Sequence, residues 1–160
     1  MENRGYSLFN LNFNVTTNNF ESRVKRGELF SYKSAQIDSV NINNHLFKKV
    51  GNSFYEVLLE KENNLFLKKY AVKYKAGIVS RLDGSEGRAT TSLTYKYLVK
   101  SDDNIKKIEL NKKSILSLIE SDQDKENLEM FVRSRDLSYK REKDTIRIVE
   151  FIIQNSGKII

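Results

Sequence analysis

The chain has 160 residues, with no Cys, no Pro and no Trp, and 28 Lys and Arg against 21 Asp and Glu leave a net charge of +7. Its length fits one domain, 1–160, and a hydrophobic content of 39% is enough to bury a core. Without cysteine the chain has no disulfide framework, no thiolate zinc site, no iron–sulfur cluster and no cysteine nucleophile.

The basic excess sits in the first part of the chain. Residues 1–100 carry 16 Lys and Arg against 9 Asp and Glu, whereas residues 101–160 carry 12 against 12. The same point marks a change of periodicity. Up to about residue 110 apolar residues alternate with polar ones, the pattern of half-buried strands. Leu11–Val15 reads Leu-Asn-Phe-Asn-Val. Gln36–Ile42 and Leu46–Val50 flank Asn43–Asn44, and Phe54–Lys61 and Leu65–Tyr74 flank Glu62–Asn64, so two hairpins are expected. By parity Tyr70, Val72 and Tyr74 share one face, expected to turn to the core. Lys69, Lys73 and Lys75 share the other, expected to turn to water. Ser92–Lys100 puts Leu93, Tyr95, Tyr97 and Val99 in phase, and Ser101–Asn104 is turn chemistry before Ile105–Leu110. Residues 76–91 hold three of the seven glycines and form the longest predicted loop.

From residue 111 the spacing becomes helical. Asn111 is placed to cap Lys112–Glu120, with Ile115, Leu116 and Ile119 inward. Asp122 or Asp124 is placed to cap Lys125–Arg133, and acids there suit the helix dipole. Ile146, Val149, Ile152 and Ile153 define a third helix, Glu142–Asn155, with Gly157 as its stop. The expected fold class is therefore α+β: an antiparallel β-meander of about six to seven strands over residues 1–110, then three short helices over residues 111–160, packed on or beside the sheet.

Few residues of the chain form a pattern with recognisable chemistry. His45, the one histidine, lies beside a predicted turn with no acid adjacent in sequence. The glycines of 77–88 have neither phosphate-loop nor dinucleotide spacing, though Arg81 and Arg88 could meet an anion on a binding loop. Asp122-Gln-Asp124-Lys-Glu126 opens like a calcium loop, but Asn127 and Arg133 stand where Gly and Glu are needed. Glu60 and Glu62 share a strand parity, the minimum for a glycosidase carboxylate pair, and solvation explains them as well. No catalytic constellation, no metal site and no cofactor are expected. Lys68, Lys69, Lys73 and Lys75, interleaved with Phe66, Tyr70 and Tyr74, are the candidate residues for binding an anion or partner. Strand alternation by itself also produces such a pattern, and exposed lysines guard sheet edges.

Membrane insertion is not expected, since no stretch approaches the roughly 20 apolar residues a spanning helix needs. The first thirteen residues, MENRGYSLFNLNF, lack the apolar region of a signal peptide.

Two groups of motifs carry a resemblance. Asn52-Ser-Phe-Tyr-Glu-Val-Leu-Leu-Glu-Lys followed by Leu65-Phe-Leu-Lys-Lys-Tyr resembles a hairpin of uncharacterised exported proteins of Bacteroidota. The downstream counterparts are Leu93-Thr-Tyr-Lys-Tyr, Asn111-Lys-Lys-Ser-Ile-Leu-Ser-Leu-Ile, Glu129-Met-Phe-Val with Leu137-Ser-Tyr-Lys, and Glu142-Lys-Asp-Thr-Ile-Arg-Ile-Val-Glu-Phe. The likeness covers about residues 36–155. It implies a periplasmic, envelope or secreted location and no enzymatic role, and it supplies no functional residues. The absent signal peptide leaves a cytoplasmic location as the alternative. The expected function is a non-enzymatic binding or structural module of the cell envelope, its partner a protein or another envelope component. The alternative is a nucleic-acid-binding module that uses the lysine-rich strand face.

Overall fold

A computed structural model describes residues 5–24, 27–77 and 87–156. The chain is α+β, with nine strands and three α-helices among those residues. The strands are β1 (Leu11–Asn14), β2 (Asn19–Arg23), β3 (Leu29–Ser31), β4 (Ser39–Ile42), β5 (His45–Val50), β6 (Ser53–Lys61), β7 (Asn64–Lys75), β8 (Thr90–Ser101) and β9 (Asn104–Ile108). The helices are α1 (Lys112–Leu116), α2 (Asp122–Ser134) and α3 (Glu142–Ser156). The expected single meander is corrected to two sheets: one of three strands ordered β1-β2-β3, and one of six ordered β4-β5-β6-β7-β8-β9. In the three-stranded sheet β1 matches the alternation of Leu11–Val15, whereas β2 and β3 escaped periodicity because β2 contains one apolar residue, Phe20, and all of β3 is exposed. Pairing creates those strands: β2 bonds to β1 on one side and to β3 on the other.

The turns follow from asparagine and acidic residues that tolerate positive φ. Asn43 and Asn44, at φ 50° and 67°, make a type I′ turn, whose twist suits a two-residue hairpin. Glu62 (φ 53°) and Asp102 (φ 50°) turn β6 into β7 and β8 into β9. Near one end of β7 the backbone at Gly77 meets that of Gly87 so closely that a Cβ on Gly77 would overlap the Gly87 carbonyl.

The chain divides into two compact units, Met1–Phe54 with Ala71–Leu93, and Tyr55–Tyr70 with Thr94–Ile160. The first unit is centred on aromatics. Phe20 is fully buried, its ring 4.7 Å from Phe54 and 5.2 Å from Phe13, and Phe47 completes the group. Burying one such ring is worth about 1.5–3 kcal/mol. Asn18 pins this core: its side-chain carbonyl accepts from the Phe54 N–H at 2.7 Å, and its amide donates to the Phe54 carbonyl at 3.2 Å.

The second unit carries the larger aliphatic core. Phe66, Val99 and Ile108 from strands meet Ile115, Leu118, Leu128, Ile148, Val149, Ile152 and Ile153 from the helical segment. Asn111 caps α1 as expected, accepting from the Ser114 N–H at 2.8 Å, but α1 ends at Leu116 instead of Glu120. Ser121 caps α2 in place of either aspartate, accepting from the Asp124 N–H. Asp122 pairs with Lys125 at 2.7 Å. Gly157 and Arg81 lie outside the described residues.

Candidate functional site

The structure does not bring Lys68, Lys69, Lys73 and Lys75 together on one face. Lys68 has the even parity of Phe66 and therefore enters the second unit's interior. It stands directly opposite Glu56 on β6 and is 9% exposed. Its ammonium lies 2.9 Å from Glu142 Oε2 at the start of α3 and 3.6 Å from Glu56 Oε2. The Tyr95 ring centroid is 4.5 Å away and that of Tyr70 is 5.1 Å away. Tyr70 donates to Glu56 at 2.7 Å and Tyr97 donates to Glu142 at 2.7 Å. Burial, followed by these hydrogen bonds to carboxylates, holds both phenols well above the ordinary tyrosine range. One cation between two carboxylates, each also served by a phenol, ties β6, β7 and β8 to α3. Lys68, the cation of the cluster, is paired with both of its carboxylates.

Lys69 is half-buried, 5.5 Å over the Tyr55 ring. Lys73 and Lys75 are exposed, and so are their neighbours Val72 and Tyr74. The expectation that Val72 and Tyr74 turn to a core is thus overturned: residues 72–75 are exposed on both strand faces. Arg88 is exposed in the same unit. His45 is exposed at the start of β5. Glu60 is an exposed residue of β6, whereas Glu62 sits in the turn, so the two do not share a strand. No group of three or more His, Cys, Asp or Glu suited to a metal occurs among the described residues. No helix among them is long and apolar enough to cross a membrane.

The site that sequence reasoning missed is a groove in the first unit, of about 1,090 Å³. Ligand sites commonly occupy roughly 300–1,000 Å³. One wall comes from residues 5–8 and 10–12, the other from residues 36–43; Tyr32 contributes aromatic surface, and the buried Phe20 lies behind the lining. Five amides line it: Asn10, Asn12, Gln36, Asn41 and Asn43. Each offers both a donor and an acceptor. Asp38 is the one charged residue among the described residues lining it, in a chain of net charge +7. Tyr6, 79% exposed, stands on the first wall. Two segments far apart in sequence build the groove, and neither has a motif. The one signal available was the density of asparagine in residues 10–19 and 41–44.

Compared with known proteins, the chain matches no family model, no curated protein and no solved structure.

Proposed function

We propose that the chain is a non-enzymatic binding module whose ligand surface is the groove of the first unit. The carrying observation is a large concave site lined by neutral amides and aromatic surface, with Asp38 as the single charged residue among its described lining. Such a lining recognises through directional hydrogen bonds and apolar contact instead of through charge. The non-enzymatic reading draws support from the Lys68 cluster, where lysine, glutamates and phenols bond to one another. Placement in the cell envelope rests on the resemblance in residues 36–155. Fractionation of the native host tests that placement, and a protein found only in the cytosol contradicts it.

A second reading has its own observation. Tyr74 on one face of β7 and Lys73 and Lys75 on the other are all exposed, with Arg88 in the same unit, so an aromatic ring and cations are both accessible to single-stranded nucleic acid. Lys68 has no part in that surface, because its charge is engaged by Glu56 and Glu142.

One experiment separates the two readings. A photo-cross-linking residue is placed at Asn41 in one variant and at Lys73 in another, and each is expressed in the native host. The groove reading expects adducts from Asn41. Nuclease-sensitive adducts from Lys73 alone support the second reading, and adducts from neither position contradict both.

A further inference from the structure

We infer that the groove takes an extended, uncharged peptide segment of another protein, added as a strand along the open edge of β4. The inference rests on the groove being the binding surface and names what fills it.

A strand face presents every second residue, whereas a strand edge presents consecutive ones. Residues 36–43 line the groove without a gap, and so do 10–12. Within those stretches Ser39–Ile42 of β4 lines one wall as a strand edge does, and Leu11 and Asn12 are the β1 residues of the other. The strand orders agree, since β1 and β4 are terminal strands of their sheets among the described residues.

The ladder phase then says where the backbone groups aim. In an antiparallel pair, opposed residues alternate between bonded and non-bonded pairs. The Lys49 N–H donates to the Asp38 carbonyl at 2.9 Å, in the same register as Ser39 with Lys48 and Val40 with Phe47. Asp38, Val40 and Ile42 thus bond toward β5, while Ser39 and Asn41 turn their N–H and C=O away from it. Across the groove the Tyr32 N–H donates to the Phe20 carbonyl, which fixes β2. Phe20 and Ser22 bond toward β3, and Asn19 and Glu21 toward β1. Asn12 and Asn14 consequently bond toward β2, and Leu11 turns its backbone outward. The groove is lined by peptide groups at strand spacing on Ser39 and Asn41, with Leu11 opposite.

This arrangement suits a peptide strand, whose alternating N–H and C=O groups match an edge at each second residue. Charge selects the kind of peptide. With amides around it and Asp38 as the one charge among the described lining residues, those residues offer no lysine or arginine to an acidic segment. Side chains of an uncharged segment would meet Asn12, Asn41 and Tyr6.

The test uses the full chain, labelled with nitrogen-15, and a pool of blocked octapeptides randomised over uncharged residues. Members selected by the protein are expected to shift the amides of Leu11, Ser39 and Asn41 and to slow hydrogen exchange at Ser39 and Asn41. Methylating alternate peptide nitrogens is expected to weaken a selected member at least tenfold. Asn41→Pro, which removes an outward N–H without removing a β4–β5 bond, is expected to do the same with thermal stability kept. Equal binding of methylated and unmethylated peptides would overturn the inference. So would shifts confined to residues outside the groove. Cellohexaose, a neutral glycan, is titrated in parallel. Groove shifts with cellohexaose and none with the pool overturn the peptide while leaving the groove as the binding surface. Absence of groove shifts with either probe overturns the peptide and counts against the groove itself. Protection of Ser39 and Asn41 that rises with protein concentration alone would assign the edge to a second copy, and would also overturn it.

Discussion

A lysine placed between two glutamates on the inner face of a strand is expensive to leave unpaired. Glu56 is 5% exposed, so removing Lys68 strands a carboxylate in the interior. Lys68→Met should lower stability by about 3–5 kcal/mol, the usual range for breaking a buried pair by deleting one partner. Lys73→Met, on an exposed stretch, should stay within about 0.5 kcal/mol. Urea unfolding of the two variants checks the contrast. The phenols add a pH dependence. Tyr70 and Tyr97 titrate above the ordinary value of about 10 when folded, so near that pH the folded chain keeps protons that the unfolded chain releases. Their contribution is whole below about pH 10 and declines as the pH rises toward the folded values. The urea midpoint should therefore fall between about pH 9 and about pH 11, and fall less in a Tyr70→Phe, Tyr97→Phe double variant. Asn18 is the corresponding residue of the first unit. Asn18→Ala removes both hydrogen bonds to Phe54 and puts alanine at φ 52°, and should cost about 1–3 kcal/mol by the same measurement.

At the scale of elements, what the sequence revealed was what local rules control. β1 and the six strands β4–β9 were legible because their apolar residues alternate, and the turns at Asn43–Asn44 and Ser101–Asn104 because asparagine and aspartate tolerate left-handed backbone. The third helix was legible from its spacing of isoleucines and valine. What alternation cannot say is whether a face has anything to pack against. Tyr74 and Lys68 have the same parity, yet Tyr74 is 67% exposed and Lys68 is buried. The reason is position along a twelve-residue strand, whose first residues are covered and whose last are not. The strands β2 and β3 were illegible because pairing, and not amphipathicity, defines them. Ser121 outcompetes the nearby aspartates as a cap because it immediately precedes the first turn, with its hydroxyl aimed at the Asp124 N–H. Gly77 yields a prediction at this scale. Gly77→Ala forces the chain away from Gly87, and amides of Val72–Lys75 should exchange faster by at least tenfold in hydrogen-exchange measurements, with α3 unaffected.

Across the whole molecule, the charge that marks the sequence and the site that marks the structure fall in different places. The net +7 draws attention to lysines, one of which is consumed in an internal ion pair, while Asp38 is the one charge among the described residues lining the groove. The groove was invisible in sequence because residues 5–12 and 36–43 become neighbours only through tertiary structure. Its meaning depends on which way the β4 backbone faces, and that can be measured with no ligand at all. Amide hydrogen exchange of the labelled chain, read residue by residue, should show slow exchange at Val40 and Ile42 and fast exchange at Ser39 and Asn41. Equal protection at all four residues would mean that the β4 edge is already paired, and would contradict the account of the groove as an open docking edge.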